Sequence, residues 1–252
     1  MSTTNLSIIT PNDGDDATLT ASPALVATLP VTNLQDVARA KVARTTSTAA
    51  QDYKGTWSTV RAISAAAIVR HNLTSAATWR VRLYSDAAWT TLVYDSGNVV
   101  ACPPKALGDI EWGVDPLGAS LFTNWALAFS SMFFALVPAQ SFLITVADPA
   151  NSAGYFDISR LFIGRTLSAQ YNFDWGYGVE WLEDTTQQRT DGGTLRSDGA
   201  EPRRRLTFKL AALTASDRPK FLEWARKAGL RLDAFISLFP GDGSSLERDC
   251  AM

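Results

Sequence analysis

The sequence predicts a mainly β protein, with an N-terminal β-sandwich or jelly roll over residues 1–165 followed by a small α+β domain over residues 166–252. Three observations carry this expectation. Short runs alternate apolar and polar residues with period two. Clusters of Gly, Pro, Asn and Asp separate those runs. The one convincing helical periodicity lies close to the C-terminus.

Residues 25–34 carry Pro30, with Pro23 just before them, and are expected along an edge or as a loop. Residues 64–70 end in Ile68 and Val69 and read as a strand. In residues 79–84 (WRVRLY), Trp79, Val81 and Leu83 fall on one face and Arg80 and Arg82 on the other, the mark of a half-buried strand. A third short run, 91–94, closes at the turn formers Asp95, Ser96 and Gly97. Phe142, Ile144 and Val146 alternate again. The polar turn of Asp148, Pro149, Asn151 and Gly154 then leads into a strand over 155–163, where the first domain is expected to end.

Beyond Gly164 the texture changes. Residues 171–178 (YNFDWGYG) are aromatic and glycine-rich, and the polar stretch 184–201 is expected as a long loop or an exposed hairpin. Residues 205–210 (RLTFKL) point Leu206, Phe208 and Leu210 inward and Arg205, Thr207 and Lys209 outward. A helix follows: Thr214 is a good N-cap with Asp217 three residues on, Pro219 sits in the first turn, and Phe221, Trp224, Ala225 and Ala228 form an apolar stripe ended by Gly229. Residues 230–239 read as a final strand.

Composition narrows the function. At 46% hydrophobic and 19% charged residues, with net charge −2, the chain is an ordinary globular protein with no global pull toward nucleic acid or anionic membrane. The two cysteines, Cys102 and Cys250, are read as free thiols of a reducing cytoplasm. With a single histidine, a His/Cys metal site is not expected, and the N-terminus shows neither a basic n-region nor an apolar h-region. Residues 116–147 carry no charge, and 121–137 are rich in Phe, Leu and Trp. Polar interruptions and Pro138 argue against a membrane span and for a buried core segment or a partner-covered surface.

No catalytic constellation emerges, and the chain is read as neither an enzyme nor a cofactor binder. His71, in RHNLT, is the sole candidate base, and no GxSxG elbow, GxGxxG or P-loop is present. Glu180 and Glu183 beside Trp175 and Trp181 imitate a glycosidase pair in composition only. Asp13, Asp15 and Asp16 in NDGDD read as a solvated turn rather than a calcium loop. The basic run Arg203, Arg204 and Arg205 reads as solvated, or as paired with an acidic neighbour subunit. Trp79 and Trp224 fit core positions. Trp89, Trp125, Trp175 and Trp181 do not, and are interface candidates.

The segment IVRHNLTSAATWRVRLYSD with YDSG at 94–97, the opening ALVATLPVTNLQD, and the stretch 147–165 resemble galactose-binding-like (discoidin-like) jelly rolls of bacteriophage tail proteins. In that last stretch Asp148, Pro149, Asn151, Gly154, Tyr155, Arg160 and Leu161 match, while Ser159 stands where a glycine is usual. The C-terminal RRRLTFKLAAL strand and helix are similar to domains of tail-tip or distal-tail proteins. The resemblance implies a virion structural protein of a long-tailed phage, made in the host cytoplasm, forming a ring that connects the tail tube to the distal tip or baseplate. Its partners would be copies of itself and other tail-tube and tail-tip proteins. The alternative is a carbohydrate-binding receptor-recognition module of the tail, with a host surface glycan as partner. The residues expected at interfaces are Phe122, Trp125, Phe129, Phe133, Phe134, Trp175, Trp181, Arg203 and Arg204.

Overall fold

A computed structural model describes residues 5–120, 128–183, 185–199, 203–229, 232–240 and 249–251. The chain opens with strand β1 (Ser7–Ile9), a 3-10 turn at Asp13–Asp16, β2 (Thr18–Ser22), a second 3-10 turn at Val31–Gln35 and the short β3 (Ala43–Arg44). The long β4 (Gln51–His71) is followed by β5 (Thr78–Tyr84), β6 (Leu92–Asp95), β7 (Val99–Val100), the long β8 (Phe129–Ala147) and β9 (Asp157–Gly164). Then come β10 (Thr166–Ser168), four strands of a polar arm, β11 (Gly178–Leu182), β12 (Thr186–Arg189), β13 (Leu195–Asp198) and β14 (Arg203–Thr207), the helix α1 (Arg218–Ala228), β15 (Phe235–Ser237) and β16 (Asp249–Ala251). The protein is mainly β, and its paired strands run antiparallel.

The antiparallel pair β4 and β8 is the spine, in register from Gln51↔Val146 to Val69↔Phe129, with irregularities between Thr56 and Arg61 and between Ile63 and Ala65. Those breaks let each strand serve two layers. The first half of β4 is flanked by β2, and the matching half of β8 by β5. The second half of β4 takes β9 as its neighbour. One core fills the space, with Tyr53, Trp57, Trp79, Phe142, Phe156 and Phe162 essentially inaccessible. The Trp57 and Phe142 rings lie 5.1 Å apart. Gly55 sits under Phe142, where a Cβ would come within 2.2 Å of the ring, so this position admits no side chain without repacking.

Along β4 the burial alternates up to Trp57, but Ser64–Val69 is buried without interruption. The reason is a second sheet, ordered β10–β1–β15–β16, that covers the outer face there. Its Phe235 packs at 6.0 Å from Phe129 and 5.9 Å from Phe162. Ala65, Ala66 and Ala67 keep this crowded region thin. The expected domain limit at 165 falls between β9 and β10, while β1 pairs with both β10 and β15.

The NDGDD segment is not the solvated turn expected. Asp13 is buried, its carbonyl accepting the Trp57 indole N–H at 2.7 Å, and its carboxylate lies 3.4 Å from Arg61. Asn12 accepts from Gly14 N and Ile163 N and donates to Leu161 O. Arg160, only 2% exposed, forks onto both Asp15 oxygens (2.5 and 2.7 Å) and both Asp233 oxygens (2.8 and 2.9 Å). The acidic turn is therefore a clasp, closed by a buried guanidinium whose bidentate geometry suits two carboxylates.

The C-terminal elements form a second apolar cluster of Leu6, Ile8, Ala169, Phe221, Ala234 and Leu238. Leu206, Phe208, Leu210 and Trp224 pack on it, as the alternation and the stripe predict. The regular strands differ from the expected ones: 203–207 against 205–210, and 235–237 within the described residues 232–239 of the expected 230–239. The helix N-cap is Asp217 rather than Thr214. Thr214 donates its hydroxyl to Asp217 and accepts Asp217 N–H, so the reciprocal pair forms one turn before the helix. The backbone N–H of Gln170, then Lys220 and Thr214, hold the Asp217 carboxyl down at about 2. Gly229, at φ 51°, ends the helix.

Candidate functional site

The best-built polar cleft lies where β4 ends. Its volume is about 560 Å³, and Arg70, Asn72, Thr74, Ser75, Gly118 and Asp157 are among its lining residues. Arg70 adopts φ 54°, the left-handed region that non-glycine residues rarely occupy. Its N–H donates to Ala128 O at 2.7 Å, and its guanidinium donates to Arg39 O at 2.7 Å. Most of the five guanidinium N–H donors have no acceptor among the described residues.

The floor is held by the Asp-Pro-x-Asn turn that stood out in the sequence. Asp148 is fully buried and accepts from Thr74 N at 2.8 Å, Thr74 Oγ1 at 2.6 Å and Asn151 Nδ2 at 3.1 Å. Asn151 also donates to Asn72 O, and Asn72 in turn accepts Asp157 N–H at 2.8 Å. Asp157 is forked by Arg44 at 2.8 Å on each oxygen, and the Arg44 guanidinium stacks 4.0 Å over the Tyr155 ring. The turn therefore positions the loop after β4 and contributes no reactive group.

His71 lines the same cleft but is set for structure, not proton transfer. Burial pushes its pKa down to about 4, so the ring is neutral at neutral pH. Its Nε2 lies 3.0 Å from Ser130 Oγ, which donates to Ala101 O at 2.6 Å. The serine proton is thus committed to a carbonyl and not to the imidazole, the reverse of what an activated nucleophile needs. Cys102, buried beside this group with Sγ 3.4 Å from Leu73 O, has its thiol pushed up to about 12 by burial. Among the described residues no cluster of His, Cys, Asp and Glu could hold a metal, and no helix is long and apolar enough to cross a membrane.

The described members of the expected interface set differ in exposure. Phe129 lies in the core, and Phe133 and Phe134 pack half-buried against it, Phe134 stacking on Tyr94 at 4.1 Å. Phe122 and Trp125 fall outside the described residues, as do the side chains of Arg203 and Arg204, whose backbone forms β14. Trp175 is fully exposed and Trp181 about half. Trp89 turns inward, its indole donating to Phe142 O at 3.1 Å. Arg205 meets Glu180 across the β11–β14 pair at 2.9 Å, an exposed ion pair within the chain. Glu180 is therefore not set in a glycosidase cleft.

Polar residues 184–201 hold the expected exposed hairpin: β12 pairs with β13, exposed throughout, and β11 pairs with β14 at its base. In sequence, RHNLT draws attention only to its histidine, and the Arg70–Asn72–Thr74 group carries no motif of its own. A dense polar run at the end of an apolar strand was the available signal.

No family model and no curated protein matches the chain. Solved structures share a likeness over about three-fifths of it. A chitosan-binding module of a chitosanase/glucanase from Paenibacillus sp. IK-5 is 10% identical with a TM-score of 0.41, over 60% of this chain and 96% of that one. The family 32 carbohydrate-binding module of C. perfringens NanJ, solved with galactose, is 14% identical at 0.41, over 63% and 98%. The lectin domain of lectinolysin, solved with Lewis B antigen, is 11% identical at 0.42, over 62% and 97%. At these scores the likeness assigns no function, and the chain's own residues must carry one.

Proposed function

We propose that the protein is a non-catalytic binding module that takes a carbohydrate in the cleft at the end of β4. The observation that supports this reading is Arg70, held in a left-handed conformation at a polar cleft with most of its guanidinium donors lacking an acceptor among the described residues. Close to it in the lining is Asp157, a carboxylate with lone pairs beyond those that Arg44 occupies. Donors beside acceptors on a fixed frame match the vicinal hydroxyls of a sugar, each of which both donates and accepts. Nothing in the cleft is poised for bond breaking. The test is a glycan array followed by calorimetry on the full chain and on Arg70→Asn, since asparagine tolerates the left-handed backbone. Selective binding that falls about tenfold or more in the variant supports the reading, about 1.4 kcal/mol. No ligand anywhere on a broad array sinks it.

A second reading, a structural subunit of a long-tailed phage tail tip assembling as a ring, is favoured by the arm. Isolated two-stranded ribbons are marginal in water, yet β12 and β13 are exposed along their whole length, and Trp175, just before β11 in the sequence, is fully exposed. Such an arm gains stability when a neighbouring subunit covers it. On this reading the protein resides in the virion tail. Mass measurement in solution with electron microscopy tests it: a closed ring of defined copy number is expected, and a monomer that never joins a tail overturns it.

A further inference from the structure

A second cleft, of about 350 Å³, opens between the β1–β10 edge of the small sheet and one face of α1. Pro11, Leu167 and Trp224 give it an apolar surface, and Arg165, Lys220 and Lys227 bring positive charge to it from two separate elements. Two of the three cations are compensated within the chain: Lys220 meets Asp217 at 3.0 Å, and Lys227 meets Glu223 at 3.0 Å. Glu223 is shared further, with Arg226 at 2.8 Å. Arg165 is exposed and has no carboxylate partner among the described residues, so the lining carries excess positive charge. The Trp224 indole N–H is buried and has no acceptor among the described residues, an unusual state for a tryptophan donor.

These features define one ligand chemistry. An apolar wall asks for an apolar body, and a guanidinium with no carboxylate partner among the described residues asks for an anion, which it binds in a planar, two-pronged way. A neutral polyol, the ligand proposed for the other cleft, suits neither. We propose that this cleft is a binding site for a small carboxylate carried on an aryl or alkyl body, with Arg165 holding the carboxylate and Trp224 packing on the apolar part.

The probe pair is 4-phenylbutyrate and 4-phenylbutan-1-ol, equal in apolar body and differing in charge, titrated into the full chain by calorimetry and saturation-transfer NMR. The acid is expected to bind one-to-one, and the alcohol and the Arg165→Gln variant to lose at least about tenfold in affinity, about 1.4 kcal/mol. Binding of the acid is expected to weaken on raising salt, as a partly exposed ion pair requires. Arg189→Gln, an exposed charge on the arm, is the control and is expected to bind as the parent does. Should Arg165→Gln fail to fold, Lys227→Gln takes its place with a smaller loss in the same direction. Equal binding of acid and alcohol, unchanged affinity in the folded variant, or no binding at about 5 mM acid each overturns the proposal.

Discussion

Arg160 is the residue whose loss tests the fold most directly. It is 2% exposed and makes four charge-assisted hydrogen bonds, two to Asp15 and two to Asp233, which tie the N-terminal turn and the 232–240 segment to β9. Replacing it by methionine keeps most of the apolar stem but leaves two carboxylates facing each other without a counter-charge. Breaking a buried pair from one side costs about 3–5 kcal/mol. Asp15 is 39% exposed and Asp233 16%, so water relieves part of this, and about 3 kcal/mol is expected. For a chain of this length that is a fall of roughly 6–12 °C in Tm. The sign of the pH dependence is the sharper check. Burial already raises the Asp15 pKa with Arg160 in place, and without the arginine, with the Asp233 charge still beside it, the Asp15 carboxyl shifts further up. A group whose folded pKa is raised favours the folded state below its unfolded pKa and loses that advantage as pH rises. The variant should therefore recover stability on acidification, relative to the parent, and Arg160→Met with Asp15→Asn and Asp233→Asn should recover it at neutral pH. Urea titration followed by tryptophan fluorescence measures both. A loss below about 1 kcal/mol, or one that does not change with pH, refutes the clasp.

Other perturbations have equally definite outcomes. Gly55→Ala places a Cβ 2.2 Å from the Phe142 ring and should cost about 2 kcal/mol by urea titration. Asp13 has its pKa raised from 3.8 to about 6, chiefly by burial, so the folded state holds the proton more tightly and stability declines as pH climbs between those values. Asp13→Asn should flatten that slope, worth about 3 kcal/mol, in urea midpoints measured across the same window. Asp148→Ala strands the Thr74 and Asn151 donors and should cost about 2–3 kcal/mol, with faster proteolysis in the loop after β4. Replacing residues 186–198 with a short Gly-rich turn removes only exposed strand, so the thermal midpoint should move by less than about 0.5 kcal/mol equivalent.

Period-two patterning made the half-buried strands legible. Trp79, Val81 and Leu83 are buried and Arg80 and Arg82 are not, because one face of β5 meets the core and the other meets solvent and Asp95. The same signal fails along β4 and β8. Residues 64–69 are buried on both faces, so no alternation survives, and Ser58–Val60 cross the irregularity between the layers. The charge-free run around 129–137, which raised the question of a membrane span, is the first half of β8 lying against β4. Charges misled in the other direction. NDGDD looks like solvent-facing polarity until Arg160, 145 residues away, arrives to neutralise it, and only tertiary structure reports such a partner. The cleft was invisible for a related reason: Arg70 acquires its meaning from a backbone angle and from loops supplied by distant parts of the chain.

The two functional readings make separable demands on the molecule. The polar cleft is built from the end of β4, the loop that Asp148 holds, and residues 116–120, none of which belongs to the arm. The arm is built from β11 to β14, none of which lines the cleft. Sites with no shared partners perturb function additively. Arg70→Asn should therefore weaken sugar binding by about tenfold or more while leaving the oligomeric state untouched, and loss of 186–198 should change the oligomeric state and leave sugar binding as it was. If instead removing the arm abolishes sugar binding while the thermal midpoint holds, the cleft is completed by a neighbouring subunit, and binding and assembly are one function rather than two.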